Sequence, residues 1–539
     1  MTRILLISLM FLSGCSLTLD FDECEADGDC AARAGAGPAL VCSPEGFCVE
    51  GAAGPEPEGQ PEGQPEGQPE GEPEGEPEGE PEPEGCCTTT GCIAEQGQNF
   101  ICNGQCQCVQ ALSEECFAVA GPIEQDDTFI IGSILPTRGA NASKGVPREQ
   151  AIQLAVNEIN QNGGLGNGRR LVHIGCDDDG KADQGKVAAA HLVDVVGVSA
   201  IVGPAFSGVF TDVSDQVTSR KGVFIMSPSA TSASITTLDD NNLSWRAAPS
   251  DAFQGGAAAD RIRDLRALQG GQMRLAALAK DDAYGSGLLN RIIDELGVEL
   301  GEDNFVGRIY APAGDLATPV IGLIEEFGQA DVVLLFGTNE TVTLIDNYES
   351  FSEQQGLLPP NYILSDGGQS AELLTYIAAH PELADRLEGV APDGKNGGLF
   401  TAFAFRFRNR YGVEPGSFAA NAYDATFLVA YAAMSLGSGA EITGAGLAAA
   451  MAKVVTGQTI NAGPTDVGTA RNTLLSGNPI NYEGASGPLQ FDLTTGDVSA
   501  NISLWHVVPD GDDFEFEDVM LYRIDDDGLG GVWGPPDEE

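Results

Sequence analysis

Two short loops of small and hydroxyl-bearing residues constrain the fold of this chain more than any other feature. Residues 203–208 read Gly-Pro-Ala-Phe-Ser-Gly, and residues 227–231 read Ser-Pro-Ser-Ala-Thr. Each loop follows a continuous apolar run, at 200–202 and 223–226, and precedes a sequence that can form a helix. This order predicts that both loops lie at the carboxyl ends of parallel strands, where open α/β sheets bind ligands.

The composition of these loops indicates what they bind. Small residues let a ligand approach backbone N–H groups closely, and Ser207 and Thr231 add hydroxyl donors. The N-termini of the following helices favour an anionic group such as a carboxylate. We therefore expect a receptor for a small molecule.

The acidic composition excludes two classes of partner. The chain has 539 residues, which is too long for one ordinary domain, and a formal net charge of −53 from 80 acidic and 27 basic side chains. Such a charge repels both a nucleic-acid backbone and an anionic membrane surface. A solvated acidic surface explains the excess more simply than specific cation binding does.

Residues 1–15 are interpreted as a targeting segment rather than as part of the fold. Arg3 precedes an apolar run at 4–12 that is too short to span a bilayer, and Leu-Ser-Gly-Cys at 12–15 resembles a bacterial lipobox. The resemblance implies cleavage before Cys15 and its acylation, so that a lipid anchors the chain to the membrane. Ser16 is compatible with transfer to the outer membrane. An ordinary cleaved secretion signal is the alternative.

The other twelve cysteines predict disulfide-stabilised modules. The first group lies in a small module at 16–53 and consists of Cys24, Cys30, Cys42 and Cys48. The second lies in a module at 86–120 and consists of Cys86, Cys87, Cys92, Cys102, Cys106, Cys108 and Cys116. Cys176 stands alone in the large domain. Because the second group is odd in number, Cys176 is a candidate partner for one member. Zinc binding is the alternative, but an exported chain meets oxidant, and neither group contains a histidine or paired CxxC spacing.

The segment at 54–85 repeats Pro-Glu-Gly units and contains almost nothing to bury. Proline favours extended chain, glycine interrupts helices, and the glutamates repel one another. We expect a disordered, solvated linker, which serves either as a spacer above a membrane or as a neutral low-complexity insertion.

From residue 128 onward the sequence has the pattern of an α/β protein. This pattern predicts a large domain at 128–525, followed by an acidic tail at 526–539. Seven apolar runs are candidate strands, several of them continuously apolar as in parallel sheets covered on both faces; they lie at 129–135, 171–175, 200–202, 223–226, 275–279, 332–336 and 362–364. A helix is expected to begin near Pro147 and to end at 162–164. A β-rich region follows around 488–521.

The large domain resembles the type I periplasmic binding proteins of the leucine/isoleucine/valine-binding group. The resemblance covers 128 to about 509 and rests on the order of several short motifs, which are Ala-Val-Asn-Glu-Ile-Asn at 155–160, Gly-Gly at 163–164, Val-Gly-Pro at 202–204, residues 227–231, Tyr-Gly at 284–285, Asp-Gly at 366–367 and Gly-Pro at 487–488. It implies an α/β fold with two Rossmann-like lobes, parallel central sheets and a hinge of three crossings, the first at 245–250.

The resemblance also implies a ligand site between the lobes. Ser207 and Thr231, helped by backbone groups at Ser229 and Ala230, would hold a ligand carboxylate. In the second lobe Asp366 would bind the ammonium group, and Tyr284 would close over the ligand. Helix capping, a turn position for Asp366 and core packing for Tyr284 are the alternatives.

Some residues depart from the family pattern. Arg138 and Lys144 stand in the first strand-to-helix loop, where they add a cation for an acidic ligand or point to solvent, and Phe206 precedes Ser207. Phe206 also occupies the position from which relatives often bridge this loop to the second strand. The acidic run at 177–179 lacks the ligand spacing of an EF-hand and is interpreted as a solvated loop.

The predicted function is capture of an amino acid or similar small zwitterion by an extracytoplasmic lipoprotein for ABC-type uptake. The four histidines are scattered and no catalytic motif accompanies them, so we expect neither an enzyme nor a bound cofactor or metal. Expected partners are the ligand, an ABC permease or other envelope protein, and the membrane through the anchor, on the periplasmic side or at the cell surface. A ligand-binding sensor and an envelope adaptor that has lost its ligand are the alternatives.

Overall fold

The structure is a computed structural model that describes residues 88–394, 397–437, 439–511, 513–525 and 530–536, together with the backbone of two short strands at 40–42 and 48–50. Cys15, the predicted linker at 54–85 and most of the first cysteine-rich module lie outside the described residues. The chain divides into two units, Met1–Glu80 and Pro81–Glu539. In the first unit, β1 (Leu40–Cys42) and β2 (Cys48–Glu50) form an antiparallel pair.

The second unit begins with a small segment, residues 88–120, which we call the N-terminal segment. It contains α1 (Thr89–Gln96), β3 (Phe100–Cys102), β4 (Cys108–Gln110) and β5 (Cys116–Ala120). A disulfide joins Cys92 to Cys108, so the prediction of disulfides is confirmed here.

The first lobe is a sheet with helices on both faces. Its first elements, in chain order, are β6 (Thr128–Leu135), α2 (Ala142–Gln161), β7 (Arg170–Asp177), α3 (Ala182–Ala190), β8 (Ala200–Val202), α4 (Ser207–Val213), α5 (Ser219–Lys221), β9 (Phe224–Ser227) and β10 (Ser244–Arg246). The strand order is β10-β9-β8-β6-β7-β5. All neighbours are parallel except β5, which pairs antiparallel with β7.

The pairing of β5 corrects the predicted boundary of the second cysteine-rich module. Cys116 and Cys176 form a disulfide between β5 and β7. Cys176, the lone cysteine, is therefore paired with a member of the second group, as the odd number of cysteines in that group suggested. Residues 116–120 therefore belong to the sheet of the large domain rather than to a separate module at 86–120. The open edge of β7 explains the difference, because an unpaired edge strand readily accepts another strand.

The prediction that α2 begins near Pro147 is also wrong, since the helix starts five residues earlier, at Ala142. Tertiary contacts stabilise the additional turn. Gly145 packs directly on the preceding loop, where a Cβ atom would lie 2.0 Å from the carbonyl oxygen of Pro136. The proline therefore removes one backbone hydrogen bond without ending the helix.

The chain then crosses to the second lobe through 247–250, as the resemblance implied. The elements of this lobe are α6 (Asp251–Leu268), β11 (Leu275–Lys280), α7 (Ala283–Leu300), β12 (Phe305–Tyr310), α8 (Ala317–Phe327), β13 (Val332–Phe336), α9 (Thr341–Gln355), β14 (Asn361–Leu364), α10 (Ala371–Ala379) and β15 (Leu387–Pro392). Strands β11 to β15 are parallel, in the order β12-β11-β13-β14-β15.

A second crossing returns the chain to the first lobe, and a third at 500–501 takes it back. The returning elements are α11 (Gly397–Tyr411), α12 (Ala419–Ser435), α13 (Gly444–Ala450), β16 (Gln458–Asn461), α14 (Val467–Leu475), β17 (Ile480–Gly484), β18 (Gly487–Pro488), β19 (Gln490–Asp492) and β20 (Asp497–Ser499). Asp393 N donates to Asn501 O at 2.8 Å, so the second and third crossings lie side by side.

Three antiparallel strands complete the second sheet: β21 (Ile502–Asp510), β22 (Asp513–Ile524) and β23 (Gly531–Gly534). The last of them corrects the predicted acidic tail at 526–539, because residues 531–534 pair with β22. Trp533 packs against Tyr522, with 5.0 Å between ring centroids, and this apolar contact stabilises the added strand.

Burial explains why the strand predictions succeeded. The second sheet has a hydrophobic core on each face, and α12 is buried along its whole length against the first lobe. Strands covered on both faces are continuously apolar, so the seven predicted strands are confirmed, with end points that differ by up to two residues. Among the described residues, no helix is long and apolar enough to cross a membrane.

Candidate ligand site between the lobes

The two loops that follow β8 and β9 lie side by side at the carboxyl edge of the first sheet, because these strands are hydrogen-bonded neighbours. Gly203 begins the first loop with a φ of +117°, and a Cβ atom there would lie 2.4 Å from the carbonyl oxygen of Ile134. Only glycine fits this combination of backbone conformation and close approach.

Hydroxyl groups tie the loops into one unit. Ser227 Oγ donates to Pro204 O at 2.5 Å and accepts from the N–H groups of Ser229 and Ala230 at 3.2 and 2.8 Å. Ser229 Oγ donates to Ala205 O at 2.9 Å. The N–H groups of Ser229 and Ala230 are therefore already bonded within the protein, and the hydroxyls of Ser207 and Thr231 remain as the predicted side-chain donors of the loops.

Those two hydroxyls have different surroundings. Ser207 is the first residue of α4, and its Oγ accepts from Ser232 N at 3.1 Å, which leaves its proton available. The Oγ1 of Thr231 is buried without a hydrogen bond of good geometry, and the hydroxyl lies beside the Asp251 carboxyl group, whose pKa it lowers. A buried hydroxyl that is poorly paired is costly, so a ligand acceptor at this place would stabilise the site.

A buried arginine that the sequence reasoning missed supports the second loop from beneath. Arg246, at the end of β10, is fully buried, and its Nη1 donates to Thr231 O and Ser232 O at 2.9 and 2.7 Å. Its Nε forms an ion pair with Asp497 of β20 at 2.7 Å. This contact joins the ligand loop to the strand that precedes the third crossing.

The second lobe places Tyr284 and Asp366 opposite these loops. The Tyr284 hydroxyl lies 2.7 Å from both Asp366 Oδ1 and Ser365 Oγ and accepts from Gly367 N at 3.0 Å. Burial raises the pKa of Tyr284 well above its usual value, so the phenol is neutral. Asp366 is not a simple turn residue, since its partners come from two helices of the lobe.

One of those partners leads to a carboxylate that the sequence reasoning also missed. Gln254 Nε2 donates to Asp366 Oδ1 at 2.7 Å, and one turn earlier on α6 lies Asp251, directly after the first crossing. Both carboxylate oxygens of Asp251 are buried without a hydrogen bond of good geometry, and the Thr231 hydroxyl lies beside them. Burial and the charge of Asp366 raise the pKa of Asp251 well above its usual value, and burial raises that of Asp366. The two carboxyl groups of this lobe therefore lie close enough for the charge of one to affect the other.

The basic residues of the first loop differ from expectation. Arg138 contacts the N-terminal segment, where its guanidinium lies 3.7 Å from the centroid of the Phe117 ring and donates to Glu114 O. Lys144 is not in the loop but in α2, where its Nζ donates across the cleft to Gly367 O and Gln369 O at 2.8 and 3.1 Å. Only Lys144 therefore faces the ligand cleft.

Four of the predicted site residues, Ser207, Ser229, Tyr284 and Asp366, line one small cavity of about 30 Å³ between the closed lobes. Ala230 and Thr231 follow Ser229 in the chain but do not line this cavity, and neither does Asp251. Further contacts join the lobes, including Asn339 Nδ2 to Ala140 O and Ser232 Oγ to Ala283 O. A cavity of this size holds about one or two water molecules, so a ligand enters when the lobes separate.

The acidic run at 177–179 is not the solvated loop that was expected. Asp177 and Asp178 are buried, and Asp177 Oδ1 accepts from the N–H groups of Thr137 and Arg138 at 2.7 and 2.9 Å. The run thereby shapes the first loop. Within the described part of the chain, no group of three or more histidine, cysteine or acidic residues is arranged to hold a metal ion.

Two α/β lobes, three crossings and a polar cleft define a two-lobed binding protein. A family profile described as periplasmic binding protein matches residues 128–512, and the chain belongs to that family. The resemblance drawn from the sequence is therefore confirmed. Membership implies a substrate-binding role outside the cytoplasm.

Individual relatives agree with this assignment. Leu/Ile/Val-binding protein homolog 1 of Brucella suis is 28% identical over 311 residues, which cover 57% of this chain and 79% of that protein. A chemotactic signal transduction system substrate-binding protein, BasB of Halobacterium salinarum, is 31% identical over 180 residues, covering 32% and 41%. The crystal structure of a leucine-binding protein from Thermotoga maritima shares the fold, with a TM-score of 0.56, 20% identity and coverage of 72% of this chain and 97% of that one.

Proposed function

We propose that this protein captures a small solute bearing both a carboxylate and an ammonium group, such as an amino acid, between its lobes. The observation that carries the proposal is a set of buried polar groups on the two sides of one cleft. A hydroxyl donor, Thr231, stands on the first lobe, and two acidic side chains, Asp251 and Asp366, stand on the second. These groups match the two charged ends of an amino acid.

Each residue has a distinct task. Ser207 and Thr231 donate to the carboxylate, while Asp251 and Asp366 accept from the ammonium group, with the Tyr284 hydroxyl fixing the orientation of Asp366. Arrival of the ammonium group offsets the repulsion between the two acidic side chains. The ammonium group therefore favours the ionised forms of Asp251 and Asp366, and so opposes the effect of burial, which raises the pKa of both groups.

Binding and closure are coupled because the donors and the acidic groups lie on different lobes. A ligand that contacts both lobes binds the closed state more tightly than the open one, and this difference shifts the population toward closure. The loaded form is then presented to an ABC permease or to a signalling partner, the second of which the name of the Halobacterium relative suggests.

Two single substitutions test the proposal by calorimetry. Asp366→Ala should weaken binding of an α-amino acid by at least about 10-fold, and should weaken its deamino analogue much less, because only the amino acid carries the ammonium group. Thr231→Ala should weaken both ligands similarly, since both carry the carboxylate. The exposed Thr237 supplies a matched control, Thr237→Ala, which should bind as the wild type does.

The proposal would fail on either of two results. A tightly bound ligand whose affinity is unchanged by both substitutions would show that the site lies elsewhere. If a thermal-shift screen of all twenty amino acids finds no stabilising ligand, the result would favour the envelope-adaptor function over solute capture. Such a screen is sensitive, since a ligand at 100 times its Kd stabilises by about 2.7 kcal/mol.

We also propose that the chain is a lipoprotein anchored at Cys15, on the strength of the lipobox-like Leu-Ser-Gly-Cys at 12–15. Cys15→Ala should release the protein from the membrane fraction, because it removes the thiol that would be acylated. Ser13→Ala, which leaves the cysteine in place, is the control. An unmodified mature N-terminus in mass spectrometry of the wild-type protein would contradict the anchor.

A further inference from the structure

Two basic side chains on consecutive turns of α2 enter the ligand cavity. Lys144 and Arg148 are only 5% and 3% exposed, and both line the cavity with Asp366 and Tyr284. Lys144 uses two of its three N–H donors on the carbonyl groups of Gly367 and Gln369. The sequence reasoning did not single out Arg148.

Arg148 is the more informative of the two. Its Nε donates to Ser417 O at 3.2 Å, and its guanidinium lies 5.3 Å from the centroid of the Phe418 ring. Its Nη1 is buried and has no hydrogen-bond partner among the described residues. An arginine side chain presents several donors in a planar fork, so a guanidinium left partly unpaired in a cavity is suited to an oxygen anion.

The acidic residues of the cavity do not satisfy these two cations. Asp282 lies 3.0 Å from the ammonium group of Lys280, and Asp366 Oδ1 accepts from Tyr284 and Gln254. Neither Lys144 nor Arg148 forms an ion pair within 4 Å with a described residue. Asp366 attracts both cations and Asp178 attracts Arg148, but neither carboxyl group comes within 4 Å of them. An anion in the cleft would therefore add the direct ion pair that these two buried charges lack.

We infer that the ligand carries a second anionic group, so that the solute class is the dicarboxylic amino acids, with the distal carboxylate bound by Arg148 and Lys144. The inference rests on the proposed function, because the α-carboxylate and ammonium group remain assigned to Ser207, Thr231, Asp251 and Asp366. Burial lowers the pKa of Lys144 to about 8 and that of Arg148 to about 10, so both still carry their charge near neutral pH.

The same geometry disfavours branched aliphatic amino acids, which the names of several relatives specify. An apolar side chain closed against Arg148 would exclude water from the guanidinium without supplying an acceptor. A carboxylate at that position supplies two acceptor oxygens to the fork. The ligand preference of this chain is thus predicted to differ from the one that these names specify.

Ligand pairs of nearly equal shape test the inference on the wild-type protein. By calorimetry, L-glutamate should bind at least about 30-fold more tightly than L-glutamine, or L-aspartate than L-asparagine, because only the acids satisfy the buried cations. L-Leucine should bind no better than the amides. Glutamine or leucine binding as tightly as either acid would overturn the inference and leave the proposed function intact, whereas no binding by any amino acid would contradict both.

Substitutions locate the effect. Arg148→Met should remove most of the preference for the acid over its amide, Arg148→Lys should retain part of it, and Arg138→Met should retain all of it because Arg138 contacts the N-terminal segment instead. Circular dichroism checks that each variant folds. If Arg148→Met does not fold, Lys144→Met serves in its place, and an unchanged preference in a folded variant would count against the assigned residues.

Discussion

Replacing Asp497 by alanine should lower the free energy of unfolding of the first lobe by about 3 to 5 kcal/mol. The reason is Arg246, which is fully buried and depends on Asp497 Oδ1 at 2.7 Å as its counter-ion. Removing the carboxylate leaves an uncompensated charge inside the lobe. The substitution also frees the Thr236 hydroxyl, which bridges the other oxygen of Asp497 to the guanidinium.

A surface ion pair of the same lobe provides the matched control. Lys221 and Asp194 lie 2.8 Å apart, a separation close to that of the buried pair, but both side chains are about half exposed. Asp194→Ala should therefore change the free energy of unfolding by no more than about 1 kcal/mol. Chemical denaturation followed by fluorescence measures both in a background that carries Trp505→Phe and Trp533→Phe, because Trp245 then reports the first lobe alone. Equal losses in the two variants would contradict the role given to burial.

Asp497→Ala should also weaken ligand binding, although Asp497 does not line the cavity. Arg246 holds the carbonyl groups of Thr231 and Ser232, so a displaced guanidinium releases the loop that presents the Thr231 hydroxyl. Stability and affinity are thus expected to fall together in this variant. Asp194→Ala should leave the affinity unchanged.

The ligand loops could be predicted from the sequence because their information is local. A continuous apolar run followed by small residues and a helix indicates a parallel strand end, whatever surrounds it. The strands at 200–202 and 332–336 agree with their predicted bounds for the same reason, since burial on both faces leaves no polar position in the run.

Asp251 and Arg148 were missed because nothing local separates them from ordinary helix residues. Asp251 follows the N-cap Ser250 on α6, a position where an acidic residue commonly stabilises a helix, and Arg148 resembles a solvated helix residue. Their role depends on the closed arrangement of the lobes, which brings α2 and α6 to one cleft. Only the tertiary structure reveals that arrangement.

The strand β5 was missed for a different reason. Residues 116–120 begin with the last cysteine of the second group, so the short apolar run was assigned to a cysteine-rich module. The parity of that group did indicate that Cys176 was a candidate partner. It did not indicate which cysteine pairs with it, because the connectivity of several cysteines cannot be deduced from sequence alone.

The largest effect at this boundary is expected from the disulfide itself. Replacing Cys116 and Cys176 together by alanine should lower the free energy of unfolding of the first lobe by about 3 to 4 kcal/mol, because the bond closes a loop of 60 residues and limits the unfolded chain. It also anchors β5 on the otherwise open edge of β7. Denaturation followed by Trp245 fluorescence under non-reducing conditions measures the loss.

The disulfide between Cys92 and Cys108 supplies the control, since it closes 16 residues within the N-terminal segment and lies outside the sheet. Its removal should cost less, at most about 3 kcal/mol, because the closed loop is shorter. No loss from the first double substitution would show that β5 is not anchored by its bond to β7. Because Arg138 stacks on Phe117 of β5, the destabilised variant should also loosen the loop that leads into α2. Loss of the disulfide is therefore expected to raise hydrogen exchange at 137–141 as well as at the sheet edge.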